Sequence, residues 1–161
     1  MSGIFAAFLN IGAAAAMPVD MTVDRLLNIC KAPTVQAAIA SGNELGWPRQ
    51  ADAELEKWRT HFVAYNGGSV DVVGWRRDNA GGAESLSFWI AVGPNGHKAC
   101  AYSTKKPDGL LDALSESLGA PDSLEKNDTI ETISAFWKRG AIEYSFTQVG
   151  SYAGVTIGPS Q

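Results

Sequence analysis

From Val23 to Phe62 the apolar residues recur at helical spacing. Thr22 stands at a capping position with Asp24 behind it, and Val23, Leu26, Leu27 and Cys30 fall on one helical face. Pro33 stops this helix. Thr34 caps a second one that carries Val35, Ala38, Ile39 and Leu45 and closes at Gly46, before Trp47-Pro48. A third helix is predicted from Ala51 to about Val63, with Leu55, Trp58 and Phe62 inward and Glu54, Glu56, Lys57 and Arg59 outward.

The period then changes to that of a strand. Ser69 to Arg76 is rich in β-formers, and Asp78-Asn79-Ala80-Gly81-Gly82 reads as a turn. Leu86, Phe88, Ile90 and Val92 alternate with Ser85, Ser87, Trp89 and Ala91, the signature of a half-buried strand. Gly93-Pro94-Asn95-Gly96 turns the chain into a third strand, Lys98 to Ser103. A fourth helix follows from about Asp108 to Leu118, with Leu110, Leu111, Leu114 and Leu118 inward and Gly119 at its end. Three more strands are expected at Thr129 to Lys138, Ala141 to Val149 and Tyr152 to Ile157, joined at Arg139-Gly140 and Gly150-Ser151.

The order is ααα-βββ-α-βββ. Runs of helices set apart from runs of strands indicate an α+β fold: an antiparallel sheet of two three-stranded meanders with the helices on one face. Residues 17–161 then form a single domain, as expected for this size.

Before it stands MSGIFAAFLNIGAAAA, whose apolar run from Ile4 ends in four alanines at Ala16. An apolar core followed by small residues reads as a secretory signal peptide cleaved after Ala15 or Ala16, although no Lys or Arg precedes Arg25; the alternative is an N-terminal arm packed on the domain. The run is too short to span a bilayer, which takes about 20 residues. Export makes the compartment oxidising, and an even number of cysteines then favours one disulfide, Cys30 to Cys100, over two buried thiols.

Composition narrows the function classes. Apolar content of 45 % is that of a globular chain rather than a disordered one, and a net charge of −4 disfavours nucleic acid, which needs a basic face to displace counterions. No Lys/Arg run exceeds two residues, so binding to a membrane surface through basic residues is disfavoured as well.

The stretch Cys30…Ala37-Ala38…Gly46-Trp47, with Cys100 and Leu118-Gly119-Ala120-Pro121 further on, resembles small exported proteins of alphaproteobacteria that carry no assigned activity. The resemblance implies a periplasmic or secreted α+β domain and transfers no catalytic residue.

Catalytic motifs are absent from the pattern. His61 and His97 stand outside any HxH or HExxH spacing, and the cysteines form no CxxC, so neither type supplies a metal motif. Ser103-Thr104-Lys105-Lys106 and Ser123-Leu124-Glu125-Lys126 match SxxK but lack its companion elements. No glycine-rich phosphate loop occurs, so no cofactor is expected.

The distinctive feature is aromatic: Trp47, Trp58, Trp75, Trp89 and Trp137. Trp89 shares its strand face with serines and alanine, opposite the apolar side. On the first strand Trp75 and Arg77 project to one face and Arg76 to the other. A guanidinium beside an indole binds a planar anion or an acidic partner, or else closes the hairpin as a cation–π pair. Trp75, Arg77 and Trp89 are therefore the candidate binding residues. The reading is a non-catalytic exported binding module, of inhibitor or accessory type, for a protein or small ligand. A small hydrolase with a site assembled only in space and a structural envelope component are the alternatives.

Overall fold

The structure is a computed structural model, and it describes residues 17–160. The signal or arm expected at 1–16 lies outside the described residues. Four helices are present, α1 (Val23–Cys30), α2 (Val35–Asn43), α3 (Asp52–Asn66) and α4 (Leu110–Leu118). Their strands are β1 (Ser69–Asn79), β2 (Gly82–Val92), β3 (Lys98–Thr104), β4 (Ser123–Asn127), β5 (Thr132–Arg139), β6 (Ile142–Val149) and β7 (Tyr152–Pro159). All seven join one antiparallel sheet in the order β1-β2-β3-β7-β6-β5-β4. The α+β class and the grouping of elements are as the periodicity indicates.

Local signals act as expected at the first helices. Thr22 Oγ1 accepts from the Arg25 amide at 3.2 Å and Thr34 Oγ1 from the Ala37 amide at 3.1 Å, each satisfying one orphan donor of a helix start. Gly150 takes φ 55°, the left-handed conformation that the Gly150-Ser151 connection between β6 and β7 requires.

Two features of the architecture depart from the sequence expectation. The second meander has four strands rather than three: β4 pairs with β5 from Ser123↔Phe136 to Asn127↔Thr132. Every residue of β4 is exposed, so an edge strand without a buried side shows no alternation to read. Its Ser123 and Lys126 belong to one of the SxxK matches and serve an open strand. The helices also do not share a face. Phe88, Leu86, Cys100, Val155, Phe146 and Trp137 build the core beneath α1, α2 and α4. The chain then passes around the sheet edge, where the Gln50 amide donates to the Gly74 carbonyl at 2.8 Å and the Arg76 amide to Pro48 at 2.9 Å. Beyond that wrap α3 lies against β1 and β2 on the opposite face, its Trp58 beside Trp89.

Cys30 and Cys100 form a disulfide with Cα atoms 5.5 Å apart, tying the end of α1 to the middle of the sheet. Both cysteines are buried, Cys30 on the face of α1 that carries Leu26 and Ile29.

Candidate functional site

Trp75 is in the core. It is fully buried, and α2 crosses it so closely that a Cβ on Gly42 would lie 2.1 Å from the ring. Its indole donates to Asn43 Oδ1 at 3.1 Å. Trp75 and Arg77 do share a sheet face, but that face is the covered one, so the expected exposed pair does not form. Arg77 instead lies over Trp47, 4.7 Å from the ring centroid.

Arg77 is held by two carboxylates where it stands. It bonds Glu84 Oε2 at 2.6 Å and Asp20 Oδ1 at 2.7 Å, and Glu84 also accepts from Asn79 at 3.0 Å and from the Tyr102 hydroxyl at 2.6 Å. Together with Trp47, whose indole donates to the Val19 carbonyl at 2.8 Å, this network fastens the segment before α1 to the sheet. The Arg77 hydrogen bond, then its charge, holds the Asp20 carboxyl below its ordinary value, so this tether is present above about pH 4 and is lost as acid protonates Asp20.

Glu84 escaped the sequence reading, yet a signal existed: it continues the Leu86, Phe88, Ile90 series onto the core side. Burial, reinforced by the neighbouring Glu84 carboxylate, pushes the Tyr102 phenol above its ordinary value of about 10. The folded chain therefore keeps a proton that the unfolded chain releases, and this contribution to stability, full below about pH 10, falls as pH rises beyond it. The expected result is that Tyr102 phenolate absorbance, identified by difference from a Tyr102→Phe variant, appears only as near-ultraviolet circular dichroism collapses. Ionisation of Tyr102 near pH 10 with the fold intact would contradict the network.

The third candidate, Trp89, stands on the other face. Trp58 and Phe62 project from one side of α3 with ring centroids 4.9 Å apart, and Trp89 lies 5.4 Å from Trp58 and 6.4 Å from Phe62. His97, delivered by the β2–β3 turn, completes this aromatic wall 5.7 Å from Phe62. The Trp89 indole donates to His97 Nε2 at 3.2 Å, and His97 Nδ1 lies 2.9 Å from the Asn95 carbonyl. Each ring nitrogen of His97 therefore has a hydrogen-bond partner.

Beyond the wall no described helix covers the sheet. Ala99 and Ala101 on β3, Gly154, Thr156 and Gly158 on β7, and Ser145 and Thr147 on β6 present small side chains from adjacent strands. Of these, Ala99, Ser145, Thr156 and Gly158 form the floor of a groove of about 570 Å³, walled by Trp89 and His97 and bordered by Asn66 and Asn95. Glu143 supplies the one charge among its lining residues. The volume is within the range of small-molecule sites, about 300–1,000 Å³.

A histidine, a carboxylate and a serine thus face one groove, but they are not wired for acyl transfer. Both nitrogens of His97 are engaged, and among the described residues Ser145 makes no hydrogen bond to it. A general base must be within hydrogen-bond reach of the proton it takes. Among the described residues no group of three or more His, Cys, Asp or Glu side chains could hold a metal ion. No described helix is long and apolar enough to cross a membrane.

Comparison with protein-family models, with curated proteins and with solved structures returns no match.

Proposed function

We propose that the protein is a non-catalytic binding module, exported to the periplasm or beyond the cell, that holds its ligand on the uncovered sheet face beside Trp89. The observation that carries this reading is the juxtaposition of an aromatic wall with a floor of small side chains that no described helix covers. Large aromatics are ordinarily sequestered, and a sheet face is ordinarily packed on something. Trp89 is only half-buried, so its exposed side remains available for a flat ligand group. Trp75 and Arg77 take part only by holding β1 and β2 in place. The engagement of both His97 ring nitrogens favours binding over the hydrolase reading, since neither is left to take a proton from Ser145.

Glu143 sets the charge preference. With a carboxylate as the only charge lining the groove among the described residues, neutral or cationic polar ligands are favoured over anions. A fragment screen followed by amide and indole NMR tests this. Neutral and cationic fragments are expected to shift the Trp89 indole and the backbone of Ser145 and Thr156, with anionic ones excluded. Hits that ignore this groove, or anions that bind it best, would overturn the reading.

A further inference from the structure

On the covered face, at the end of the sheet where α1 stops at Cys30, the core opens. A second cavity of about 290 Å³ lies there, walled by Leu27 of α1 and by Ile142, Tyr144 and Ile157 of β6 and β7. Tyr144 and Ile157 are directly paired across the β6–β7 ladder and buried, whereas Ile142 stands at the rim, 39 % exposed. The floor is apolar, and its mouth is not.

Lys31 and Lys98 flank the opening. Lys98 Nζ is held against the end of α1, donating to the carbonyls of Ala32 at 3.0 Å and Lys31 at 3.3 Å. An ammonium has three donors, so one remains for a ligand. The position is fixed rather than free, because the last carbonyls of a helix attract a cation. Neither lysine has a carboxylate partner: among the described residues every ion pair is made by an arginine. Two unneutralised ammonium groups over an apolar pocket are complementary to one kind of molecule, a short apolar chain or ring ending in an anion.

We propose that this cavity binds a small amphipathic carboxylate, its apolar part on Tyr144, Ile142 and Ile157 and its carboxylate between Lys31 and Lys98. The size limits the ligand to about a dozen non-hydrogen atoms, at the lower end of small-molecule sites. Burial of the apolar part supplies affinity, and the charge-assisted hydrogen bond from Lys98 supplies the sign preference. The site lies across the sheet from the Trp89 groove, so it stands or falls separately from the function proposed above.

The probes are octanoate, octan-1-ol and octylammonium, which share a tail and differ in the charge of the head. They are titrated into the full chain and followed by methyl NMR of Leu27, Ile142 and Ile157. Octanoate is expected to shift these methyls saturably and to bind about tenfold more tightly than octylammonium, the factor one charge-assisted hydrogen bond provides. Lys31→Gln and Lys98→Gln should each narrow that gap and leave octan-1-ol unchanged. Ile142→Glu, at the exposed rim, should repel octanoate while sparing octan-1-ol, and Ile142→Trp should exclude all three. Melting temperatures verify that each variant is folded; for any that is not, the comparison of the three probes on the unaltered chain decides alone. Absence of saturable shifts at these methyls, equal binding of octanoate and octylammonium, or octanoate binding that survives Ile142→Glu would overturn the proposal.

Discussion

Replacing Glu84 by alanine is expected to destabilise the protein by about 3–5 kcal/mol, the range for removing one partner from a buried ion pair. The carboxylate is reached by three donors, from Arg77, Asn79 and Tyr102. The Glu84 and Arg77 side chains are 10 % and 13 % exposed, so solvent does little to screen the pair or to replace the lost acceptor. Arg77 would keep Asp20 and Trp47, but Tyr102, inside the sheet, would lose the acceptor for its hydroxyl. Glu84→Gln keeps the shape and one acceptor oxygen and should cost less than half as much. Urea unfolding of both variants, combined with Tyr102→Phe in a double-mutant cycle, checks the claim: coupling of about 0.5–3 kcal/mol is expected between residues sharing such a network. Additive effects would show that Glu84 and Tyr102 are not linked. Since a domain of this kind holds only about 5–15 kcal/mol in total, Glu84→Ala should leave the chain marginal at physiological temperature.

Loss of the disulfide is the other large effect. Cys30 and Cys100 are 70 residues apart, and closing a loop of that length removes about 4 kcal/mol of chain entropy from the unfolded state in the loop-closure model. A Cys30→Ser, Cys100→Ser double variant should lose about 2–5 kcal/mol, and reduction of the unaltered chain should give a comparable shift in the urea midpoint. Under denaturing, non-reducing conditions no thiol should titrate. The location adds a local effect: the bond pins α1 to β3, and α1 contributes Val23, Leu26 and Ile29 to the core. Hydrogen exchange in α1 should therefore accelerate more than in β5 and β6. A uniform change across the sheet and α1 would mean that the bond acts through the unfolded chain alone.

What could be read from the sequence was whatever is encoded locally. The caps at Thr22 and Thr34, the alternation of β2 and the glycine at the β6–β7 turn each depend on a few neighbouring residues, and each lies where the pattern places it. Parity along β1 correctly put Trp75 and Arg77 on one side of the strand. Which side of the sheet a helix covers is not a local property. α2 covers Trp75 because Gly42 permits close approach, and α3 reaches the far face because residues 48–50 wrap the edge of β1. Nothing in the spacing of either helix reveals that division. β4 was invisible for a different reason, since an exposed edge strand has no buried side to mark. The groove combines both difficulties. Its floor comes from Ala99, Ser145 and Thr156, unremarkable residues on three strands, and its wall joins Trp89 to a histidine across a turn.

The proposed function requires that the face beside Trp89 be the binding face, the face bearing Trp75 being core. Titrating the best fragment from the screen into the unaltered chain and into Ser145→Arg tests it most directly. Ser145 is half-buried on β6, at the side of the floor away from Trp89, so arginine there reaches into the groove without entering the core. The Trp89 indole resonance is expected to move on titration while those of Trp75 and Trp137 do not, and Ser145→Arg should abolish the shift with an unchanged melting temperature. A fragment that moves the Trp75 indole, or that binds Ser145→Arg as tightly as the unaltered chain, would contradict it.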